Sequence, residues 1–306
     1  MDTKQIEYIL KIAEENNITK AAEKLFITQS ALNQQLLKLE KELGTPLFHR
    51  SRTNWRLTEA GEIYIEGAKA ALQIKNTTYN RIYDVVSARK GHLTIGLTPG
   101  RGLRMFTSIY PELHRSFPNL DVRPIEMRVR AQQDAIAKGD IDVGLMTLAR
   151  RDQTSDTYYP LKQEELVLII PSGHPLAAKA APSGEPLTTL DLTDLRYEPF
   201  VLMDKTSTLR SSCDLLFEKA GFPPNILFET NNTSGIAAMV QSTLCCGIIP
   251  RYYTLGLTEG VACFSLPERP SWEIVISCQK NGYLNSGARE FIRLAREYWE
   301  NSAPLF

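Results

Sequence analysis

Residues 18–44 read ITKAAEKLFITQSALNQQLLKLEKELG, and the architecture of the N-terminal part turns on how this run divides. Leu32, Leu36, Leu39 and Leu43 recur at i, i+4, i+7 and i+11, the spacing of one buried stripe on an α-helix. A helix is therefore expected from Thr28, a good N-cap, to Gly44, a residue suited to end it in the left-handed conformation. Ahead of it, Thr19 is expected to cap a shorter helix that turns Ala21, Ala22 and Leu25 inward, and Phe26-Ile27 forms the junction. Further upstream Ile6, Ile9, Leu10 and Ala13 fall at helical spacing, so a packing helix is expected over about 4–16. Two helices joined by a tight turn and preceded by a packing helix make a helix-turn-helix, although the spacing alone fits a small helical bundle equally well.

The next residues favour the first reading. Thr45-Pro46-Leu47-Phe48 leads into His49-Arg50-Ser51-Arg52-Thr53-Asn54-Trp55-Arg56, a basic turn between strand-like residues where a wing would meet phosphates. The whole chain of 306 residues has a formal net charge of zero, but the average hides an asymmetry. Residues 20–56 carry Lys20, Lys24, Lys38, Lys41, Arg50, Arg52 and Arg56 against Glu23, Glu40 and Glu42, a local excess of +4. Thr58 then caps a long helix with Glu59 and Glu62 in its first turn, which the helix dipole favours. No breaker follows until Gly91, so about 32 residues, or roughly 48 Å, are expected to be helical. Ile65, Ala68, Leu72, Lys75, Tyr79, Ile82 and Val86 are spaced as a heptad seam with one polar interruption; such a seam needs a partner, expected to be a second copy of the chain, with packing inside its own chain as the alternative.

From His92 the pattern changes. Short apolar strands (Leu93–Leu97, Val122–Met127, Ile141–Met146) alternate with helical stretches through Phe117 and over 130–138. A second set follows, with strands at Glu165–Ile170, Phe200–Leu202 and Ile226–Phe228 and helices over 208–220 and from Thr233. Trp272–Cys278 and a helix near 285–299 complete it. Such alternation implies a mostly parallel sheet flanked by helices.

Composition bounds the function. Hydrophobic content of 43% and charged content of 23% are those of a soluble globular protein. No run of 18 apolar residues and no signal peptide is present, so a cytoplasmic protein with no membrane partner is expected. The four histidines are scattered singly and the five cysteines show no C-x-x-C spacing, so no metal site and no cofactor is expected. The cysteines read as packed reduced thiols, with a redox-sensing pair of Cys213 with Cys245 or Cys246 as the alternative. No G-x-S-x-G, phosphate-binding glycine loop or His/Cys cluster supports an α/β enzyme, and catalysis is not expected.

Thr19-Lys20-Ala21-Ala22-Glu23-Lys24-Leu25, Gln29-Ser30-Ala31-Leu32, Leu39-Glu40, Leu43-Gly44, Pro46-Leu47-Phe48 and Leu57-Thr58-Glu59-Ala60-Gly61 closely resemble the N-terminal signature of LysR-type transcriptional regulators. The resemblance runs on through Pro118-Asn119-Leu120, Gly139–Val143, His174–Ala177 and Gly247–Pro250, so it covers essentially the whole chain. It implies an α plus α/β multidomain protein: a winged helix-turn-helix over 1–57, a linker and dimerisation helix over 58–90, and an effector domain over 91–306. That domain would look like a periplasmic binding protein, with one subdomain of about 92–162 plus 267–306 and another of about 163–266. It also implies double-stranded DNA carrying an interrupted inverted repeat, a second copy of the chain in dimers and tetramers, a small-molecule effector of unknown identity, and RNA polymerase as a further candidate partner.

On that resemblance the third helix enters the major groove. Counting 100° per residue from the leucine stripe, Ser30, Gln34, Lys38 and Lys41 point away from the core, Asn33 lies on the flank and Gln35 turns toward the packed side. Amides suit this face because Asn or Gln can pair with N7 and N6–H₂ of adenine at once. Thr19, Thr28, Gln29, Ser30, Asn33, Gln34, Lys38, Arg50, Arg52 and Arg56 are the candidate DNA-binding residues, the arginines and Lys38 as phosphate clamps. Relatives more often carry Ser at Asn33 and a cation at Gln34 and Leu37. The seam residues Ile65, Ala68, Leu72, Tyr79, Ile82 and Val86 are the candidate dimerisation set. In the effector domain, ligands are expected at strand C-termini and helix N-termini. Thr98, Pro99, Gly100, Arg101, Arg128, Thr147, Met203, Thr206 and Asn231 meet that description. Arg101 and Arg128, read as loop-tip cations, point to a carboxylate or phosphate on the effector. Relatives often hold the effector with Ser or Thr at the positions of Thr98 and Gly100, and Gly100 lacks that hydroxyl.

Overall fold

The computed structural model describes residues 2–51, 55–86, 89–182, 184–255, 257 and 259–301. The chain divides into two compact units: residues 1–91 with 138–140, and 92–137 with 141–306.

The first unit holds α1 (Thr3–Glu15), α2 (Ile18–Lys24), α3 (Gln29–Leu43), β1 (Phe48–His49), β2 (Arg56–Leu57) and α4 (Glu59–Val85). Asn16 closes α1 in the left-handed conformation, which leaves Asn17 extended at the head of α2. The cap is therefore Asn17 and not Thr19: Asn17 Oδ1 accepts from Thr19 N at 2.9 Å and Lys20 N at 3.1 Å. Thr28 caps α3 and Gly44 ends it at φ 72°. Leu32, Leu36 and Leu39 are buried, but Leu43 is 45% exposed, because the stripe drifts off the core by the fourth position. Ile12 joins Ile6 and Ile9 in the core, while Leu10 is only half-buried.

The wing is anchored to α1, α3 and the start of α4, with Trp55 N donating to Asn16 O at 2.8 Å. Buried Glu40 accepts Leu47 N at 2.8 Å through Oε1 and the Arg50 guanidinium through Oε2. Thr58 N donates to Leu47 O at 3.0 Å, and Thr58 Oγ1 donates to Pro46 O while capping α4 at Gly61 N. A Cβ on Gly61 would stand 2.1 Å from Leu47 O, so the helix can lie against this carbonyl only with glycine there.

α4 is 27 residues long, about 40 Å. It is shorter than expected because the backbone leaves the helix at Val86, before Gly91 is reached. The seam also divides. Ala68 is fully buried in the core of its own unit, with Ile65 and Leu72 half-buried beside it, whereas Tyr79, Ile82 and Val86 are exposed. The first half of the expected dimerisation set is thus engaged intramolecularly, since the helix-turn-helix needs α4 to close its core.

The second unit contains β3 (Lys90–Leu97), α5 (Arg101–Ser116), β4 (Asn119–Glu126), α6 (Val129–Lys138), β5 (Val143–Leu148) and β6 (Thr157–Pro171). Then come β7 (Pro199–Met203), α7 (Thr208–Ala220), β8 (Asn225–Thr230), α8 (Thr233–Gln241), β9 (Gly247–Pro250), β10 (Val261–Ser265), β11 (Ser271–Cys278) and α9 (Ser286–Asn301). β3 and β5 pair in parallel, as do β7 and β8, but β6 and β11 run antiparallel to every partner they have. The expectation of a mostly parallel sheet is corrected to a mixed one, because the strands that carry the chain between two lobes must run against their neighbours. β6 is one 15-residue strand shared by both lobes: residues 157–165 pair with β11, and Leu166–Pro171 pair with β9 and β10. The sequence signals only its second half, since Thr157–Gln163 contains Pro160, where the register to β11 shifts. Separate apolar clusters fill each lobe, one around Ile95, Leu145 and Phe291 and another around Leu168, Phe200 and Phe217.

Gly61→Ala is expected to lower the melting temperature of the N-terminal unit, corresponding to about 1–3 kcal/mol of overpacking; thermal melts followed by circular dichroism would measure it.

Candidate DNA-reading face and ligand cleft

The N-terminal unit presents one end of α3. Thr28 Oγ1 accepts Ala31 N at 3.2 Å, and Gln29, Ser30, Gln34 and Lys38 are exposed on the helix that follows. Asn33 is half-buried on the flank. Gln35, expected on the packed side, is exposed too, because Leu32, Leu36 and Leu39 fill the core contact by themselves. Four neutral amides and one serine therefore line the first two turns. Thr19 is exposed in the first turn of α2 with its N–H taken by Asn17. Arg56 is exposed on β2 opposite His49. Arg50 departs from a freely solvated clamp: it pairs with Glu40 and its guanidinium lies 5.5 Å from the Trp55 ring centroid. It fixes the wing to α3 and offers DNA only its remaining edge. Arg52 lies outside the described residues.

In the second unit a cavity of about 460 Å³ opens between the lobes. Thr98, Pro99, Gly100 and Arg101 reach it from the β3–α5 turn, Arg128 from the start of α6 and Thr147 from the end of β5. Met203 and Thr206 come from the opposite lobe, before α7, and Asn231 from before α8. The topology thus brings all nine candidate effector residues to one cleft. Gly100 sits at φ 73°, and a Cβ there would meet nothing within 4 Å, so the missing hydroxyl leaves open space. Sequence reasoning missed Arg104, Tyr252, Tyr253 and Trp272, which also line the cavity. Arg104, one turn beyond Arg101, could have been found by helical spacing; the aromatics follow the short strand β9 or open β11, and only the folded topology reveals them.

The two arginines read as solvated cations are not solvated alike. Arg101 is buried: Nη1 donates to Glu164 Oε2 at 2.5 Å and Nη2 to Thr147 Oγ1 at 2.8 Å. Glu164 Oε2 also accepts Trp272 Nε1 at 2.7 Å, and Oε1 accepts Tyr252 N at 3.0 Å. The guanidinium lies 5.5–5.9 Å from the ring centroids of Tyr252, Tyr253, Trp272 and Trp299. Its charge is already matched, so Arg101 organises the hinge and is a poor anion receptor. Arg128 is half-exposed and crosses the cleft, donating to Asp204 Oδ1 at 2.8 Å and to Thr206 Oγ1. Burial works to raise the Asp204 carboxyl, but hydrogen bonds from Thr206 and Arg128 outweigh it and hold the group below the usual carboxylate range. Two further bridges join the lobes: Thr208 Oγ1 to Thr147 O at 3.0 Å, and Arg151 Nη2 to Ser212 Oγ at 3.1 Å.

Cys213, Cys245 and Cys246 are all buried. Burial pushes the Cys213 and Cys246 thiols up to about 12 and raises Cys245 as well. A sensing cysteine needs an accessible, stabilised thiolate, and these environments disfavour it.

A winged helix-turn-helix joined to a two-lobed domain with an inter-lobe cleft defines a ligand-responsive DNA-binding regulator. Residues 3–62 match the bacterial regulatory helix-turn-helix protein model of the lysR family, and residues 87–300 match the LysR substrate binding domain. The chain belongs to the LysR family of transcriptional regulators. It is 29% identical to the uncharacterized HTH-type transcriptional regulator YcgK of Bacillus subtilis strain 168 over 97% of this chain and 94% of that one. Among solved structures, a full-length OxyR variant from Pseudomonas aeruginosa superposes with a TM-score of 0.69 at 21% identity, covering 98% of this chain and 95% of that one. Full-length CbnR complexed with its target DNA gives 0.66 at 21%, covering 97% and 100%. At this identity both establish the fold.

Gln34→Ala is expected to relax base preference by about 1–3 kcal/mol at one base pair. Competition binding on a panel of singly substituted duplexes would measure it; equal weakening on selected and scrambled DNA would reject the assignment. Arg101→Met is expected to cost about 3–5 kcal/mol by stranding Glu164. In a double-mutant cycle, Arg101→Met with Glu164→Gln should cost clearly less than the sum of the single changes.

Proposed function

We propose that this regulator responds to a small, polar, anionic effector in the inter-lobe cleft, and that the effector competes with Asp204 for Arg128. The cavity volume of about 460 Å³ falls within the roughly 300–1,000 Å³ typical of small-molecule sites. Its walls carry hydroxyls and amides from Thr98, Thr206, Ser207, Asn231 and Asn232, with aromatic rings on one side. Arg104 is exposed on the cavity wall and makes no ion pair among the described residues. The observation that carries the reading is the Arg128–Asp204 bridge, because one cation already holds a carboxylate across the mouth of the cleft. A ligand carboxylate can take the same place, since a charge-assisted pair tolerates exchange of one carboxylate for another.

Exchange matters only if the ligand binds the two lobe arrangements unequally. Where it does, the lobes shift, and the spacing and angle of paired DNA heads shift with them. Pairing of heads follows from a second copy of the chain covering the exposed Tyr79 and Ile82 on α4 and Val86 at its end. Two heads then suit DNA with an interrupted inverted repeat.

The test is a thermal-shift screen of small mono- and dicarboxylates and their neutral amides on the full chain, in which binding to the native state raises the melting temperature. Carboxylates should stabilise and the amides should not. Asp204→Asn, which keeps an acceptor for Thr206 N, should bind the same hits about two- to fivefold tighter, matching the small worth of a half-exposed ion pair. Arg128→Gln should lose them. Hits confined to neutral compounds, or an unchanged affinity in Asp204→Asn, would sink the reading.

A further inference from the structure

Phe26 occupies an unfavourable place by every local measure. The end of α2 is a Schellman motif: Ile27 N donates to Ala22 O at 3.1 Å and Phe26 N to Glu23 O at 3.1 Å. That motif puts its penultimate residue in the left-handed conformation, which is why glycine normally fills it. Here the residue is phenylalanine at φ 54°. The residue is 95% exposed, more than any other large apolar residue among the described ones. Folding would be better served by glycine or asparagine, and solubility by any polar residue. Strain of this kind persists where function requires it.

The surroundings indicate the function. Phe26 lies two residues before the cap Thr28 and three before Gln29, so the residue stands at the entry to α3. Lys20 is exposed on α2, Lys24 at the end of that helix is paired with Glu15 at 2.5 Å, and the segment as a whole carries a local excess of +4. An apolar side chain next to the exposed head of α3, in a segment of net positive charge, fits duplex DNA better than a protein surface, because the cations of the segment suit phosphates while the ring suits an apolar edge. We infer that Phe26 is a DNA-contacting residue whose ring packs on an apolar edge of the duplex, a thymine methyl or a deoxyribose, and that the chain accepts a strained turn to present it.

The experiment uses the full chain and a duplex selected by it from a random library. Phe26→Asn keeps a residue that tolerates the left-handed turn and removes the ring. It should raise the melting temperature of the N-terminal unit by about 2–6 °C and weaken binding about tenfold. Phe26→Leu should keep most of the affinity with no gain in stability. Neither should change the slope of affinity against salt, since no charge is altered. Replacing thymines by deoxyuracil in the selected duplex separates the two edges: a matching loss in the unsubstituted protein, absent in Phe26→Asn, assigns the methyl, and no loss assigns the sugar. Unchanged affinity in Phe26→Asn, a fall in its melting temperature, or a loss of binding that tracks a change in oligomeric state would overturn the inference.

Discussion

The ligand-binding unit is organised around the buried contact of Arg101 with Glu164. A guanidinium and a carboxylate withdrawn from water are tolerated only when each finds nearly all its partners. Here both do: Thr147, the Tyr252 amide and the Trp272 indole complete the set, and four rings enclose the cation. The contact brings together the start of α5, the end of β5, the crossover strand β6 and the first residues of β11. These are the elements that must meet for two lobes to share one hinge. Because any one missing partner would strand a buried charge, the geometry at the base of the cleft is tightly specified, and the variable part of the site lies further out.

That outer part is built from groups with a different character. Arg128 and Asp204 are partly solvated, their pairing is weak by comparison, and Asp204 Oδ2 is buried without a hydrogen-bond partner among the described residues. A fixed base holds the cleft together, and a weaker, partly solvated rim lies beyond it. The same division appears in the N-terminal unit. Glu40, Arg50 and Trp55 fix the wing to α3, while most of the neutral amides on α3 stay exposed.

Much of this was legible in the sequence where local chemistry decides the outcome. The leucine spacing located α3, Thr28 and Thr58 set two helix starts, and the alternation after His92 separated the α/β half from the helical head. Residues destined for the cleft could be picked out because strand ends and helix starts are local features. What failed was non-local. Nothing in Arg101 or Glu164 alone says that they lie on opposite elements of one buried pair, so Arg101 reads as a loop-tip cation. The antiparallel course of β6 and β11 depends on where the chain must return, and Pro160 disguises the first half of β6 as a loop. The inward half of the α4 seam is apolar for its own core, a use that heptad spacing cannot distinguish from pairing with a second helix. Phe26 illustrates the opposite case, since an apolar junction in the sequence turned out to hold one ring in solvent.

The continuity of β6 limits how the two lobes can move. Each half is hydrogen-bonded into its own lobe, with the change of partners between Glu165 and Leu166. Sliding one lobe past the other would break a ladder along its whole length, and pulling them apart would stretch a backbone that is already extended. The remaining soft coordinate is torsion about a few dihedral angles at that changeover, together with the return at Leu266–Pro270. The motion these connections leave open is therefore a rotation of one lobe against the other about that changeover. On the function proposed above, the amplitude of that rotation would be set by how far a bound molecule holds the rim open, and ligand size and output angle would be geometrically linked.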